Sequence, residues 1–102
     1  MNFNNIEDFP LHDAILYDIK YSWEEKICTI YISAFLDLNQ NAVDGTMTFT
    51  GVTLLEVKQD QPWGFSFYIN GQKFIYPNEY IIEMQSGDNI RLIAGSVELK
   101  LE

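Results

Sequence analysis

Apolar and polar residues alternate with a period of two through almost the whole chain. That period is the pleat of a half-buried strand, not the 3.6-residue repeat of a helix. Ile15, Tyr17, Ile19 and Tyr21 alternate with Leu16, Asp18, Lys20 and Ser22. After a polar break, Trp23-Glu24-Glu25-Lys26, the residues Cys28, Ile30, Ile32 and Ala34 alternate with Thr29, Tyr31, Ser33 and Phe35. A turn centred on Glu24-Glu25 sets Tyr21 opposite Cys28, Ile19 opposite Ile30, Tyr17 opposite Ile32 and Ile15 opposite Ala34. Every pair on that face is apolar or aromatic, and a slip of one residue mixes the faces, so the register is specified.

The same reading extends down the chain. NQNAVDG, Asn39 to Gly45, reads as a loop, and in TMTFT the residues Met47 and Phe49 share one face. Gly51 reads as a bulge or tight bend before Val52 to Val57 continue. KQDQP, Lys58 to Pro62, is a second loop. Within WGFSFYINGQKFIY, Asn70-Gly71 carries the strongest turn signal, a pair suited to two central residues at positive φ. Pairing outward from it sets Phe67 opposite Phe74 and Phe65 opposite Tyr76, which places Phe65, Phe67 and Phe74 in the core. Pro77 ends that strand. Ile82 and Met84 share a face with Ile90 and Leu92 only if the turn holding Gly87 has an odd length, which predicts a three-residue bulged turn. Ala94-Gly95-Ser96 is a short bend, and Val97, Leu99 and Leu101 alternate in a half-exposed final strand. The one helical candidate is a turn around Asn5 to Phe9, closed by Pro10. The expectation is an all-β chain: a single domain over residues 1–102, an antiparallel β-sandwich or partly open barrel built from consecutive hairpins.

Composition narrows the class. With 47% hydrophobic and 15% aromatic residues in 102, the chain has the material for a packed core. The lone Cys28 has no partner for an internal disulfide and falls inside an apolar strand, which favours a buried thiol and a cytoplasmic home. The stretch MNFNNIEDF has no basic, apolar signal region, and no apolar run is long enough to span a bilayer. Fifteen acids against six bases give a net charge of −9. Such a field repels nucleic acid and anionic membranes, suits a basic partner, and also keeps a protein soluble.

Chemistry is harder to place. His12, the only histidine, is followed by Asp13. A His-Asp metal site needs further histidines, a zinc site on one His and one Cys would need carboxylates for the rest, and NQNAVDG lacks calcium-loop spacing. On a strand Asp13 points away from His12 and orients it poorly for nucleophilic catalysis. Gly64-Phe65-Ser66-Phe67 lacks the second glycine of a nucleophile elbow, Cys28 has no evident activating base, and no glycine loop cradles phosphate. No catalytic residue, metal ligand or cofactor is therefore assigned, and an enzyme is not expected. His12 and Asp13 read instead as structure: Asp13 accepts hydrogen bonds where the chain turns into its first strand, and His12 packs with one ring nitrogen on a carbonyl or carboxylate. Among the clustered aromatics, Trp23, Trp63 and Tyr68 fall at turns or off the core face and are candidates for an interface. Glu24, Glu25, Asp44, Asp60 and Asp88 lie in predicted loops or turns, where carboxylates are available to a cationic partner.

Leu11-His12-Asp13-Ala14 opening an alternating strand, and Phe49-x-Gly51-Val52-x-x-Leu55-x-Val57 after a threonine-rich strand, resemble the small bacterial immunity proteins of polymorphic-toxin systems, notably the immunity protein 50 family. The alternating aliphatics of Ala94 to Leu101 match the family's end loosely. The resemblance implies a cytosolic, non-catalytic protein that binds and neutralises one cognate toxin. It makes His12, Asp13, Phe49 and Gly51 parts of a structural motif and transfers no catalytic residue. Two other readings stay open beside it: a ligand-binding β-domain, for instance for a carbohydrate held on exposed aromatics, and a small hydrolase using His12. An exposed edge strand also leaves a homodimer open.

Overall fold

The computed structural model describes residues 1–36 and 41–102. Among them the chain forms nine strands and one 3₁₀ turn, Ile6–Asp8. The strands are β1 (Asn2–Phe3), β2 (Ile15–Ser22), β3 (Ile27–Ala34), β4 (Val43–Thr50), β5 (Leu54–Val57), β6 (Ile69–Ile75), β7 (Glu79–Met84), β8 (Asn89–Ile93) and β9 (Ser96–Leu101). They build two antiparallel sheets, one in the order β1-β9-β4-β3-β2 and the other β5-β8-β7-β6. The all-β sandwich expected from the alternation is what the chain adopts.

One face of each sheet supplies the core. In the five-stranded sheet Cys28, Ile30, Ile32, Met47, Phe49 and Leu99 are fully buried, and in the four-stranded sheet Ile69, Ile82 and Leu92 meet them. Phe49 stands edge-on to Tyr80 of the other sheet at 5.5 Å between ring centres, and Tyr80 in turn packs on Phe74 at 5.1 Å. This aromatic column spans the two layers.

The β2–β3 hairpin keeps most of the expected register. Tyr21 faces Cys28, Lys20 faces Thr29, Ile19 faces Ile30 and Asp18 faces Tyr31. Tyr17, however, is an extra residue: the register shifts there, so Leu16 takes the place opposite Ile32 and Ile15 lies opposite Ser33. The bulge lets Leu16 point into the core and turns Tyr17 out to solvent. The Trp23–Lys26 turn is closed by the Lys26 N–H donating to the Ser22 carbonyl at 2.9 Å, with Lys26 at φ 56°.

Two expectations from turn chemistry fail. Asn70-Gly71 makes no turn: β6 runs through both residues and pairs with β7, with Asn70 as a bulge between Ile69↔Met84 and Gly71↔Glu83. The β6–β7 hairpin turns instead at Tyr76-Pro77-Asn78, where Pro77 does end the strand. The pairing that forms buries Ile69, Ile82 and Met84 and leaves Phe65 and Phe67 off the ladder. Phe65 and Phe67 are consequently outside the core, and both are exposed. Likewise Val43, Asp44 and Gly45, expected in a loop, belong to β4, where Gly45 lies between Ile32 and Leu101. A Cβ on Gly45 would stand 2.8 Å from the Lys100 carbonyl, so the close approach of β9 selects the glycine. Asn39 and Gln40 of the same expected loop lie outside the described residues.

The other turns follow their residues. Gln85-Ser86-Gly87 is the expected three-residue turn, with Gly87 at φ +91° and its N–H donating to the Met84 carbonyl at 3.0 Å. Gly51, at φ +65°, is the bend that carries the chain from the first sheet to the second.

Candidate functional site

The His12-Asp13 pair proves to be a stitch between the sheets. Asp13 is not on a strand; it sits in a turn at φ 64°. Its N–H donates to the Ile69 carbonyl, and the Ile69 N–H donates to Ala14, each at 2.8 Å. The His12 ring, through Nδ1, donates to the Asn70 carbonyl at 2.8 Å, and the Asp13 carboxylate accepts from the Gln85 amide at 2.6 Å. His12 Nε2 and Asp13 Oδ2 are 3.6 Å apart, closer than strand geometry allows. Both side chains are nonetheless exposed, and apart from that mutual contact their hydrogen bonds tie residues 12–14 to β6 or to the Gln85 turn. Next to them the Leu16 N–H donates to the Phe67 carbonyl at 2.9 Å, so the start of β2 also holds the segment that leads into β6.

That segment carries the candidate site. Phe65 and Phe67 stand 5.9 Å apart, and Tyr68 stacks on Phe67 at 4.9 Å with the planes 22° apart. Trp63 and Phe65 are 78% and 73% exposed, and the bulged Tyr17 is 62% exposed. Tyr17, Phe65 and Phe67 wall a cleft of about 250 Å³ whose floor includes Leu16, Ile19 and Ile90. Here the core of the sandwich opens at its end rather than closing over. Single exposed apolar side chains are ordinary, but a contiguous aromatic group around a core opening is not.

Asp88 holds the loop that shapes one side of this cleft. It is buried, with 6% of its surface exposed, and its carboxylate accepts from the backbone N–H of Asp60 at 2.8 Å, that of Gln61 at 3.0 Å and the Ser86 hydroxyl at 2.8 Å. Asp88 is therefore a clamp and not a carboxylate offered to a partner. Trp63 adds a second tie, its N–H donating to the Ser86 carbonyl at 3.0 Å. Burial alone would raise the Asp88 pKa, but the Ser86 hydroxyl, the N–H groups of Gln61 and Asp60 and the charge of Lys58 outweigh it and hold the carboxyl below its usual range. A depressed pKa in the folded state stabilises the fold above the unfolded carboxyl value of about 3.9, and that contribution is lost as pH falls through the folded value. Asp88→Asn will therefore lower the thermal midpoint by several degrees at pH 7 and by progressively less as the pH drops below about 4. Equal losses at pH 7 and at pH 2.5 in parallel melts would show that the carboxylate charge is not what holds the loop.

The other sequence candidates are dispersed. Trp23, 86% exposed, occupies the β2–β3 turn with exposed Glu24 and Glu25, and Asp60 is exposed on the clamped loop. Asp44 lines a separate groove of about 360 Å³ on the five-stranded sheet, with Tyr17, Tyr31, Thr46, Lys100 and Glu102. The cleft unites Tyr17, Phe65 and Phe67, none of them expected to bind anything. Their signal was present: Pro62, Gly64 and Ser66 alternate with aromatics, a poor strand sequence that leaves its large side chains no core face.

Cys28 is fully buried and its thiol is pushed up to about 11 by that burial, so it is neutral near pH 7. Among the described residues no three His, Cys, Asp or Glu side chains gather to hold a metal ion. No helix among them is long and apolar enough to cross a membrane. No protein-family model, curated protein or solved structure matches the chain.

Proposed function

We propose that this is a non-catalytic binding protein that neutralises a basic bacterial protein toxin in the cytoplasm. The observation that supports this most is the exposed aromatic group of Tyr17, Phe65 and Phe67 around the cleft, with exposed Trp63 two residues before Phe65, on a chain of net charge −9. Aromatic anchors provide contact area at small entropic cost, and excess carboxylates speed encounter with a cationic surface and reject anionic ones. The resemblance of Leu11–Ala14 and Phe49–Val57 to toxin-immunity proteins points the same way.

Calorimetry with the toxin encoded beside the gene tests the proposal. The expected result is tight association that weakens steeply between about 50 and 500 mM salt, because exposed charge pairs are screened. Trp63→Ala with Phe65→Ala should cost at least about 30-fold in affinity, the size of a hot-spot loss. Absence of any binding heat sinks the idea.

A second reading has its own observation. The groove on the five-stranded sheet lies within the roughly 300–1,000 Å³ range of small-ligand sites and joins two tyrosines to Asp44, Thr46 and Lys100. Lys20 already stands 5.3 Å from the Tyr31 ring centre. A sugar-binding groove predicts saturable binding of an oligosaccharide that Tyr31→Ala removes. A panel of neutral and acidic oligosaccharides with no binding rejects it.

A further inference from the structure

We infer that the cleft between β2 and residues 57–68 receives one arginine or lysine side chain from a basic partner protein. The inference rests on the binding reading above and gives it an address and a chemistry. At about 250 Å³ the cleft is below the usual size for a whole small ligand, which fits a single long side chain. Its floor of Leu16, Ile19 and Ile90 is apolar and takes a methylene stem. Its lining includes the aromatic rings of Tyr17, Phe65 and Phe67, and an aromatic ring attracts a cation that stands over its face.

Charge selects the occupant further. Asp88 and Lys58 both line the cleft, one charge against the other, and Lys58 is the only base among its described lining residues. Asp18 and Asp60, both exposed, adjoin the lining residues Tyr17, Gln59 and Gln61 in sequence. The rest of the chain adds to the same sign, for a total of −9. Neutral apolar anchors gain nothing from that field, and an acidic one is repelled. A second copy of this chain would bring another −9 to the contact, which disfavours self-association here.

The test uses the whole ¹⁵N-labelled chain at low ionic strength, titrated with blocked Gly-Arg-Gly, Gly-Leu-Gly and Gly-Glu-Gly peptides and followed by amide shifts. Saturable shifts at Leu16, Ile19, Ser66, Phe67 and Ile90 are expected with the arginine peptide, and at least about fivefold weaker binding of the other two. Phe65→Ala and Tyr17→Ala, both at exposed positions, should each weaken the arginine peptide by about three- to tenfold while the remaining amide spectrum stays in place. Equal binding of the leucine peptide would overturn the proposal in favour of a plain apolar anchor. Shifts spread over Glu24, Glu25 and Glu98, or indifference to both variants, would overturn it as general charge attraction. Sedimentation showing a wild-type dimer that Phe65→Ala dissociates would give the cleft to a second copy. No toxin enters this titration, so a cleft that binds arginine while the toxin gives no heat defeats the toxin reading alone.

Discussion

Phe49→Ala will lower the unfolding free energy by about 3–5 kcal/mol, the cost of removing a buried aromatic and leaving its cavity. Phe49 is fully buried, pairs with Cys28 and Val97 in its own sheet, and meets Tyr80 of the other sheet edge-on. Its removal leaves Tyr80 without its ring partner across the layers, and the strands flanking Phe49 are held by β-ladders that limit collapse into the void. Domains of this size are typically stable by about 5–15 kcal/mol, so one substitution removes a large part of the total. Urea unfolding checks it, with an unchanged slope expected and Phe35→Ala, at a partly exposed position, costing no more than about 1 kcal/mol. A loss under about 1.5 kcal/mol for Phe49→Ala would mean that the aromatic column does not join the layers.

Gly87→Ala will act on the binding surface through the loop. Gly87 has φ +91°, and a Cβ there would stand 2.8 Å from both Pro62 Cγ and Trp63 Cδ2. Two costs combine: a backbone conformation worth about 1–3 kcal/mol of strain to alanine, and a clash that forces Pro62 and Trp63 away from the turn. Gly64→Ala separates them. Gly64 has φ +99° with nothing within 4 Å of its would-be Cβ, so it carries the backbone penalty without the clash. Gly87→Ala should lose more stability than Gly64→Ala, by the cost of the clash, and only Gly87→Ala should also reduce partner affinity, by about tenfold or more, since Trp63 and the Asp88-clamped loop move together. In a Trp23→Phe background Trp63 is the one tryptophan left, so tryptophan emission spectra report its surroundings. Identical spectra and affinities for the two glycine variants would dissociate the Gly87 turn from the aromatic surface.

How far the sequence could be read follows from which forces were local. Ile19↔Ile30 and Tyr21↔Cys28 were legible because alternation on two adjacent strands admits one register. The odd-length Gly87 turn was legible because Met84 and Ile90 had to share a face. Tyr17 was not, since no residue type announces a bulge and its need arises from Leu16 reaching the core. Asn70-Gly71 misled because its turn preference is local and modest, while Ile69 pairs with Met84 and is buried in the core that the two sheets share. Asp88 was assigned to the surface because a carboxylate in a turn is usually solvated, and the two N–H groups that bury it come from another loop. Glu24, Glu25 and Asp60 are exposed as expected, and Asp44 is exposed on a strand rather than in a loop. The aromatic cleft was hidden by one inference, that alternating phenylalanines form core.

The place of β9 bears on the order in which the domain can be made. β4 lies between β3 and β9, and β9 also carries β1. Until Ser96–Leu101 leaves the ribosome, β4 is an open edge with Met47 and Phe49 uncovered beside it, and Asn2–Phe3 has nothing to pair with. A nascent chain in that state presents a sticky, unpaired strand for as long as synthesis of the second sheet takes. Holding factors that bind apolar strands, and slow decoding after β4, would therefore act on yield in opposite directions without altering the finished protein.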